Sequence, residues 1–386
     1  MENKQPVIMQ IIPNLGAGGA EQGCIDIAGE LVKAGAKSIV VSNGGHRLHE
    51  LLRTGAEHIE LPVHSKNPMT MWRNIGRIKR LIKKHKVDIV HVRSRAPAWS
   101  AYIACKKTGT HYITTCHAPY NISGDWKRVY NSSIVKAEKI IAISHYVENY
   151  LKREYEIDQD KITVIHRGIP IEKFSPTNVT PERLVTVSKS WRIPETASII
   201  MMPGRITRWK GHSVLIEAMS KLKNKEAFCV MIGSDQGRIE YRQELENLIQ
   251  SHDLGGRVRI VDHCDDMPAA YMLSEVVVSA STDPEGFGRV PVEAQAMGRP
   301  IIATDHGGAQ ETIKRNETGW LISPSDPDAL ATALDEALSL TETQRTILAT
   351  RAMDHVLKHF TKDVMADKTL NLYAEILKND IKRNAA

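Results

Sequence analysis

Two doubly wound α/β domains with parallel sheets, Rossmann-like and facing each other across a cleft, are what this sequence of 386 residues predicts. Three observations carry the prediction. Short β-rich apolar runs alternate with segments of helical spacing, the pattern of parallel strands covered on both faces by crossover helices. The alternation lapses over 169–182, where IPIEKFSPTNVTPE is rich in Pro, Thr and Asn, and then resumes, which marks a linker. The length also exceeds the roughly 250–300 residues at which one hydrophobic core stops growing. Residues 1–175 and 190–360 are therefore the expected domains, with ligands held outside the carboxyl ends of the strands.

In chain order, VIMQII (7–12) is the first strand, AEQGCIDIAGELVKAG the first helix and SIVVS (38–42) the next strand. WRNIGRIKRLIKKHK (72–86) sets Trp72, Ile75, Ile78, Leu81 and Ile82 on one helical stripe with Arg and Lys elsewhere. That stripe suits packing on the sheet, and the charges suit water or an anionic membrane surface. DIVHV (88–92), HYITTC (111–116), KIIAIS (139–144) and KITVIH (161–166) complete the first series. The second comprises SIIMMP (198–203), AFCVMIGS (227–234), RVRIVD (257–262), EVVVSAS (275–281), RPIIATD (299–305) and GWLIS (319–323). After Asp326 the pattern is wholly helical, and its last segment carries Val364, Leu370, Leu372, Ile376 and Leu377. This helix, 362–386, needs an apolar surface and is expected to pack back on the first domain.

Composition narrows the function classes. With 42% hydrophobic and 25% charged residues the chain is an ordinary globular protein. MENKQPVIMQIIP has no basic leader and no small-residue cleavage site, and no apolar stretch reaches about 18 residues, so a cytoplasmic protein is expected. Five scattered cysteines, Cys24, Cys105, Cys116, Cys229 and Cys264, read as reduced thiols and not as a disulfide framework or zinc ribbon. A net charge of +6 suits an anionic ligand or membrane surface and does not point to nucleic acid.

The loop PNLGAGGAEQ (13–22) joins the first strand to the first helix, and Gly16, Gly18 and Gly19 there are able to adopt positive φ and to bring N–H groups at a helix N-terminus against a phosphate. The spacing is not GxGxxG and no acid follows the second strand, which disfavours a nicotinamide cofactor. After SIIMMP comes GRITRWKGH, whose Arg205 and Lys210 offer a planar fork and a point charge to a diphosphate. EGFGRVPVE (285–293) puts Glu285 in a turn and Glu293 about one turn into a helix. A carboxylate accepts two hydroxyls at once, as a vicinal sugar pair presents them, while Gly286 and Gly288 admit a ligand to the backbone; acids at a helix start also simply stabilise the helix. Asp158-Gln159-Asp160 spells a metal-binding DxD but lies in a polar turn, and in Asp262-His263-Cys264-Asp265-Asp266 a helix cap by Asp265 or Asp266 is the expected use.

GRITRWKGH followed by DPEGFGRVPVEAQAMGRPIIATDHGGAQETI resembles the retaining glycosyltransferases of family 4, which have the GT-B fold, over nearly the whole chain. DIVHVRSRAPAWS resembles the alphaproteobacterial branch linked to lipopolysaccharide core or other surface polysaccharide assembly. The resemblance implies a metal-independent hexosyltransferase without cofactor, moving a sugar from a UDP- or GDP-sugar to an acceptor hydroxyl on a glycan or glycolipid. It implies that Glu293 holds the ribose, that Arg205 and Lys210 neutralise the diphosphate, and that Glu285, with the backbone of Gly286, Phe287 and Gly288, meets the transferred sugar. Gly18 and Gly19 match the family's loop facing the phosphates, and His117, in TTCHAPY, matches the histidine that contacts the donor sugar. Arg289 stands where the family often has an aliphatic residue, which leaves the local contacts open. The rival readings are a GT-B sugar-nucleotide epimerase and a non-catalytic module that binds an anionic surface.

Overall fold

The computed structural model describes residues 5–385 apart from 17, 121, 123 and 195, and side chains up to 379; the reading of MENK as no leader lies outside them. The chain forms two compact units, Met1–Gly168 with Lys362–Ala386, and Ile169–Thr361.

In the first unit the order is β1 (Val7–Ile11), α1 (Gly19–Lys33), β2 (Lys37–Ser42), α2 (Leu48–Arg53), β3 (Glu57–Glu60), α3 (Pro68–His85), β4 (Ile89–Val92), α4 (Arg95–Lys106), β5 (His111–Cys116), α5 (Asp125–Val135), β6 (Lys139–Ala142), α6 (His145–Tyr155) and β7 (Ile162–Val164). The seven strands run β3-β2-β1-β4-β5-β6-β7, and every pairing is parallel. β1 and β4 are buried along their whole length, the reason they read as unbroken apolar runs. The order reverses beside β1, so the loop after β1 opens at a switch point of the sheet, where such folds collect ligands.

In the second unit come α7 (Pro181–Trp191), β8 (Ile199–Pro203), α8 (His212–Lys221), β9 (Phe228–Ile232), α9 (Ile239–Ser251), β10 (Val258–Val261), α10 (Met267–Leu273), β11 (Val276–Ser279), α11 (Arg289–Ala296), β12 (Ile301–Thr304), α12 (Ala309–Thr312), β13 (Trp320–Ile322), α13 (Pro327–Leu338) and α14 (Glu342–His359). Its six strands run β10-β9-β8-β11-β12-β13, all parallel. The switch here lies beside β8. A core of strand residues such as Ile200, Met231 and Val278 packs on Leu215 of α8, Leu245 of α9 and Leu334 of α13. A capping box of Thr341 and Gln344 starts α14.

The last helix, α15 (Lys362–Ala385), belongs to the first unit. Its Met365, Ala366, Leu372, Tyr373 and Ile376 join one core cluster with Ile8, Ile27, Leu31 and Ile113, and Leu370 and Leu377 pack against it. Tyr373 closes the cluster with a hydrogen bond between its hydroxyl and buried His91 Nδ1 at 2.6 Å.

Four features differ from the sequence expectations. EHIE forms β3, an edge strand whose residues are exposed or half-buried, so it lacks the apolar run that signals a strand. Part of the expected linker is the helix α7, tied to the start of α10 by Arg183, whose Nε and Nη2 donate to Asp266 at 2.6 Å each. On α3 it is Asn74, Ile78 and Ile82 that are buried, whereas Trp72 is 71% exposed: the core stripe is rotated away from it. None of Gly16, Gly18 and Gly19 has positive φ; Gly18 is extended (φ −77°) as the N-cap of α1.

Candidate functional site

At the carboxyl edge of the second sheet, the chain leaves β8 through Gly204 and passes Arg205 and the short 3-10 turn Arg208–Lys210 before entering α8 at Gly211. Gly211 has φ +78°, and a Cβ there would lie 1.9 Å from the Ala280 carbonyl oxygen. Only glycine therefore lets this loop lie against the end of β11. The close approach brings Lys210 to Glu285: Nζ donates to Oε1 at 2.7 Å, and the two side chains are 12% and 19% exposed. Ser281 Oγ donates to the same carboxylate oxygen at 2.6 Å. The Ser281 carbonyl is itself held by Thr304 Oγ1 and His306 Nε2, both at 2.8 Å. Burial alone would raise the Glu285 carboxyl, but Lys210, Ser281 and His306 outweigh it and hold it below the ordinary carboxylate value.

Two glycines fix the turn that carries Glu285. Gly308 N–H donates to the Glu285 carbonyl at 2.9 Å, and a Cβ on Gly308 would come within 2.4 Å of the Phe287 backbone. Gly307, with φ +60°, lies as close to Glu285. Buried Phe287 anchors the turn below, its ring edge-on to Phe360 at 5.8 Å, and Gly288 (φ +80°) caps α11.

One helical turn on, Glu293 is almost fully buried. Tyr271 of α10 donates its hydroxyl to Oε2 at 2.9 Å, and Arg289 Nη2 meets Oε1 at 2.7 Å. Burial and then Glu293 push the Tyr271 phenol well above its ordinary value, so Tyr271 stays a donor. Each carboxylate oxygen retains a lone pair for a further hydroxyl. Arg205 is exposed, its guanidinium 5.9 Å from the Trp209 ring centroid, while Lys210 Nζ is 4.6 Å from the same ring. The sheet edge thus gathers Arg205, Lys210, Glu285, Gly286, Phe287, Gly288 and Glu293.

In the first unit Gly18 and Gly19 open α1, and a Cβ on Gly18 would meet the Glu21 carboxylate at 2.2 Å. His117 follows β5 directly. Its Nδ1 accepts from Arg167 Nη2 at 2.6 Å, which leaves the ring proton on Nε2, and Arg167 Nη1 donates to the Gly19 carbonyl. Nε2 is buried without a hydrogen-bond partner. Burial first, then the Arg167 and Arg93 charges and His91, hold His117 well below the usual histidine value; the Arg93 carbonyl opposes this from nearby without making a bond of normal geometry. His117 is a neutral donor at ordinary pH.

The remaining polar motifs have structural uses. Asp266 accepts from Ala269 N at 3.1 Å and caps α10. Gln159–Lys161 form a 3-10 turn ahead of β7, where the Asp160 carbonyl accepts from Lys139 Nζ at 2.5 Å. Cys24, Cys105, Cys116 and Cys229 are buried free thiols and Cys264 is half-buried. Arg167, Tyr271 and His306 were not visible from the sequence, because each acts on a residue that no local spacing connects to it.

Residues 186–352 match the family model "Glycosyl transferases group 1" and residues 17–173 match "Glycosyltransferase Family 4". The crystal structure of a glycosyltransferase from Rickettsia africae ESF-5 is 40% identical, superposes with a TM-score of 0.91, and is covered over 100% of its length by 97% of this chain. The complex of Anabaena Alr3699/HepE with UDP, at 19% identity and a TM-score of 0.83 over 96% of this chain and 100% of that one, shares the fold. Among sequence relatives, glycosyltransferase MJ1607 of Methanocaldococcus jannaschii is 30% identical over 61% of this chain. D-inositol 3-phosphate glycosyltransferase of Corynebacterium diphtheriae is 27% identical over 66%. The matched regions span 59% and 60% of those two relatives' own lengths. Two parallel Rossmann-like sheets, two family models in succession along the chain and a 40% identical full-length relative lead to one conclusion: the chain belongs to glycosyltransferase family 4, on the GT-B fold.

Proposed function

We propose that this protein is a retaining glycosyltransferase that moves a hexose from a nucleoside diphosphate sugar, UDP-linked in the first instance, to a hydroxyl of a glycan or glycolipid acceptor. The observation that carries the proposal is the half-sequestered Lys210–Glu285 pair at the switch point of the second sheet, with a second carboxylate, buried Glu293, one turn into α11. The complex of Anabaena Alr3699/HepE with UDP supports the choice of nucleotide. Ile169–Thr361 is the donor unit in this reading, and Met1–Gly168 with Lys362–Ala386 serves the acceptor.

Departure of the nucleoside diphosphate builds negative charge on its phosphates, and Lys210 and Arg205 are the cations placed to stabilise it. Glu293 takes the ribose hydroxyls on its free lone pairs. Glu285, kept ionised by Lys210, accepts hydroxyls of the transferred sugar, and the N–H groups of the 286–288 turn lie beside it. In the first unit the α1 N-terminus at Gly18 and Gly19 offers N–H donors to phosphate, and His117 offers its Nε2–H to the donor sugar. No side chain is assigned as a covalent nucleophile. Attack comes from the leaving-group face, and the departing phosphate takes the acceptor proton. The two cations supply the charge that a divalent metal would otherwise bring, so EDTA is expected to leave transfer intact. The acceptor is proposed to be lipopolysaccharide or another surface glycoconjugate, on the resemblance of the 88–100 segment.

The test is thermal stabilisation by a panel of nucleoside diphosphates and nucleotide sugars, with EDTA throughout and NAD as control. A ligand that binds only the folded state adds about 2.7 kcal/mol at 100 times Kd. UDP or a UDP-sugar is expected to raise the melting temperature, and Glu293→Ala and Lys210→Ala to abolish the rise. A flat response to every nucleotide, or a response to NAD alone, would sink the proposal. The anomer of the first-formed product, read by NMR, tests retention.

A further inference from the structure

We infer that the α3–α5 face of the first unit is a docking surface for an anionic lipid bilayer, with Trp72 and Trp126 as its interfacial anchors. The three helices lie side by side, α4 packed against both α3 and α5. They carry ten Lys and Arg residues against one carboxylate, Asp125: six cations on α3, two on α4 and two on α5. Their net charge of +9 exceeds the +6 of the whole chain, so all other residues together sum to −3. The basic character of the protein therefore resides on this one layer.

Among the described residues no carboxylate pairs with the main block. α3 holds no acidic residue, and among the described residues none of Arg73, Arg77, Lys79, Arg80, Lys83 and Lys84 makes an ion pair. Arg73, Arg77, Lys79 and Arg80 line an open groove of about 540 Å³ together with Trp72 and, from the end of α4, Lys107. A field of one sign on one face is what attracts a surface of the other sign, and each basic residue close to anionic lipid strengthens partition about fivefold.

Charge alone would fit any polyanion; the apolar residues select the bilayer. The core is already covered by Asn74, Ile78 and Ile82 of α3, and Trp72 and Met69 stand outside it at 71% and 59% exposed. On α5, Trp126 and Val129 are 88% and 54% exposed. All four sit in the opening turns of their helices. Because every strand of the sheet is parallel, the helices that follow β3 and β5 both begin at its carboxyl edge. Trp is the side chain that favours the headgroup boundary, where an apolar body and an N–H are both accommodated. Two of the protein's six tryptophans are thus left in water, on the face that carries its excess charge.

This inference stands apart from the donor chemistry, and the test keeps the two separate. Sedimentation of the full chain with vesicles of phosphatidylcholine alone, and with 30 mol per cent phosphatidylglycerol as an order-of-magnitude anionic content, is measured at low and high salt. UDP stabilisation is followed on the same samples as a check of folding. Binding is expected to the anionic vesicles only, to fall steeply with salt, and to be weakened at least tenfold by the double reversal Arg77→Glu with Lys83→Glu. Trp72→Ala and Trp126→Ala should each weaken it at low salt, and the tryptophan emission of the parent protein should shift to the blue on adding anionic vesicles. Failure to bind anionic vesicles at low salt, binding that ignores the charge reversal, or tighter binding of duplex DNA than of vesicles at equal phosphate would overturn the inference.

Discussion

The two sheets are built alike and charged differently. At the carboxyl edge of the second sheet the half-buried and buried charges are paired: Lys210 to Glu285 at 2.7 Å, Arg289 to Glu293 at 2.7 Å. At the carboxyl edge of the first sheet the polar side chains are guanidiniums and neutral imidazoles: Arg93 donates to Gln10 Oε1 at 2.8 Å, Arg167 to His117 Nδ1 at 2.6 Å, and His91 lies between Tyr373 and Thr115. One edge is a set of ion pairs that a ligand must compete with or insert into. The other sets guanidiniums beside neutral imidazoles, and at His117 the Arg167 donor fixes the ring proton on Nε2. A ligand carrying both hydroxyls and an anion suits the first kind, because a pair can yield its acid to hydroxyls and its cation to phosphate.

The contrast breaks most visibly at Lys210. Lys210→Ala removes the cation proposed to stabilise the leaving group and leaves Glu285 buried without its main counter-charge. Loss of a comparable oxyanion donor costs on the order of 10²–10³ in kcat. A loss of that size in kcat for sugar transfer is expected, and less than threefold would show that Lys210 serves Glu285 alone.

A smaller effect is expected from Gly308→Ala. The added methyl would press on the Phe287 backbone at 2.4 Å, and forced overpacking costs about 1–3 kcal/mol. Denaturant titration should show that loss, and unchanged stability would mean that the Glu285 turn is looser than its contacts suggest.

The smallest effect concerns protons on the first edge. Arg167→Met removes one of the charges that depress His117, so the histidine value rises toward the ordinary one, though burial still holds it below. The neutral form then fails at a higher pH, and the acid limb of the transfer profile should move up. Nitrogen-15 NMR of labelled histidine should also show Nδ1 losing its hydrogen-bonded, unprotonated signature. An unmoved acid limb with an unaltered His117 signal would separate Arg167 from His117 function.

Much of this was legible in the sequence, and the rest was hidden for identifiable reasons. Strands such as VIMQI and FCVMI announced themselves because burial on both faces keeps the run apolar, with Gln10 as a hydrogen-bonded exception. That Glu285, Glu293 and Lys210 lie at one sheet edge was legible because close spacing around glycines and a strand end is local information. β3 was missed because an edge strand needs no apolar run. Trp72 was misassigned because a stripe on a helical wheel has a width, and only packing against the sheet decides which of its margins is covered. Tyr271 lies 22 positions before Glu293, and the Arg167–Gly19 bond spans 148; long-range partners of this kind leave no periodic trace. The first loop's glycines were read as able to adopt positive φ, whereas Gly18 is extended (φ −77°) at the N-cap of α1.

The return of α15 to the first unit has a consequence for biosynthesis. Residues 5–168 emerge from the ribosome before the second unit, yet one face of their sheet, with Ile8 and Ile113, and Ile27 of α1 beside it, is closed by Met365, Tyr373 and Ile376. Those residues are not synthesised until the whole second unit has been made. The half of the protein that is translated first is thus the half completed last, and for nearly two hundred residues of elongation it carries an open apolar seam that a chaperone or the second unit's own prompt folding must keep from sticking.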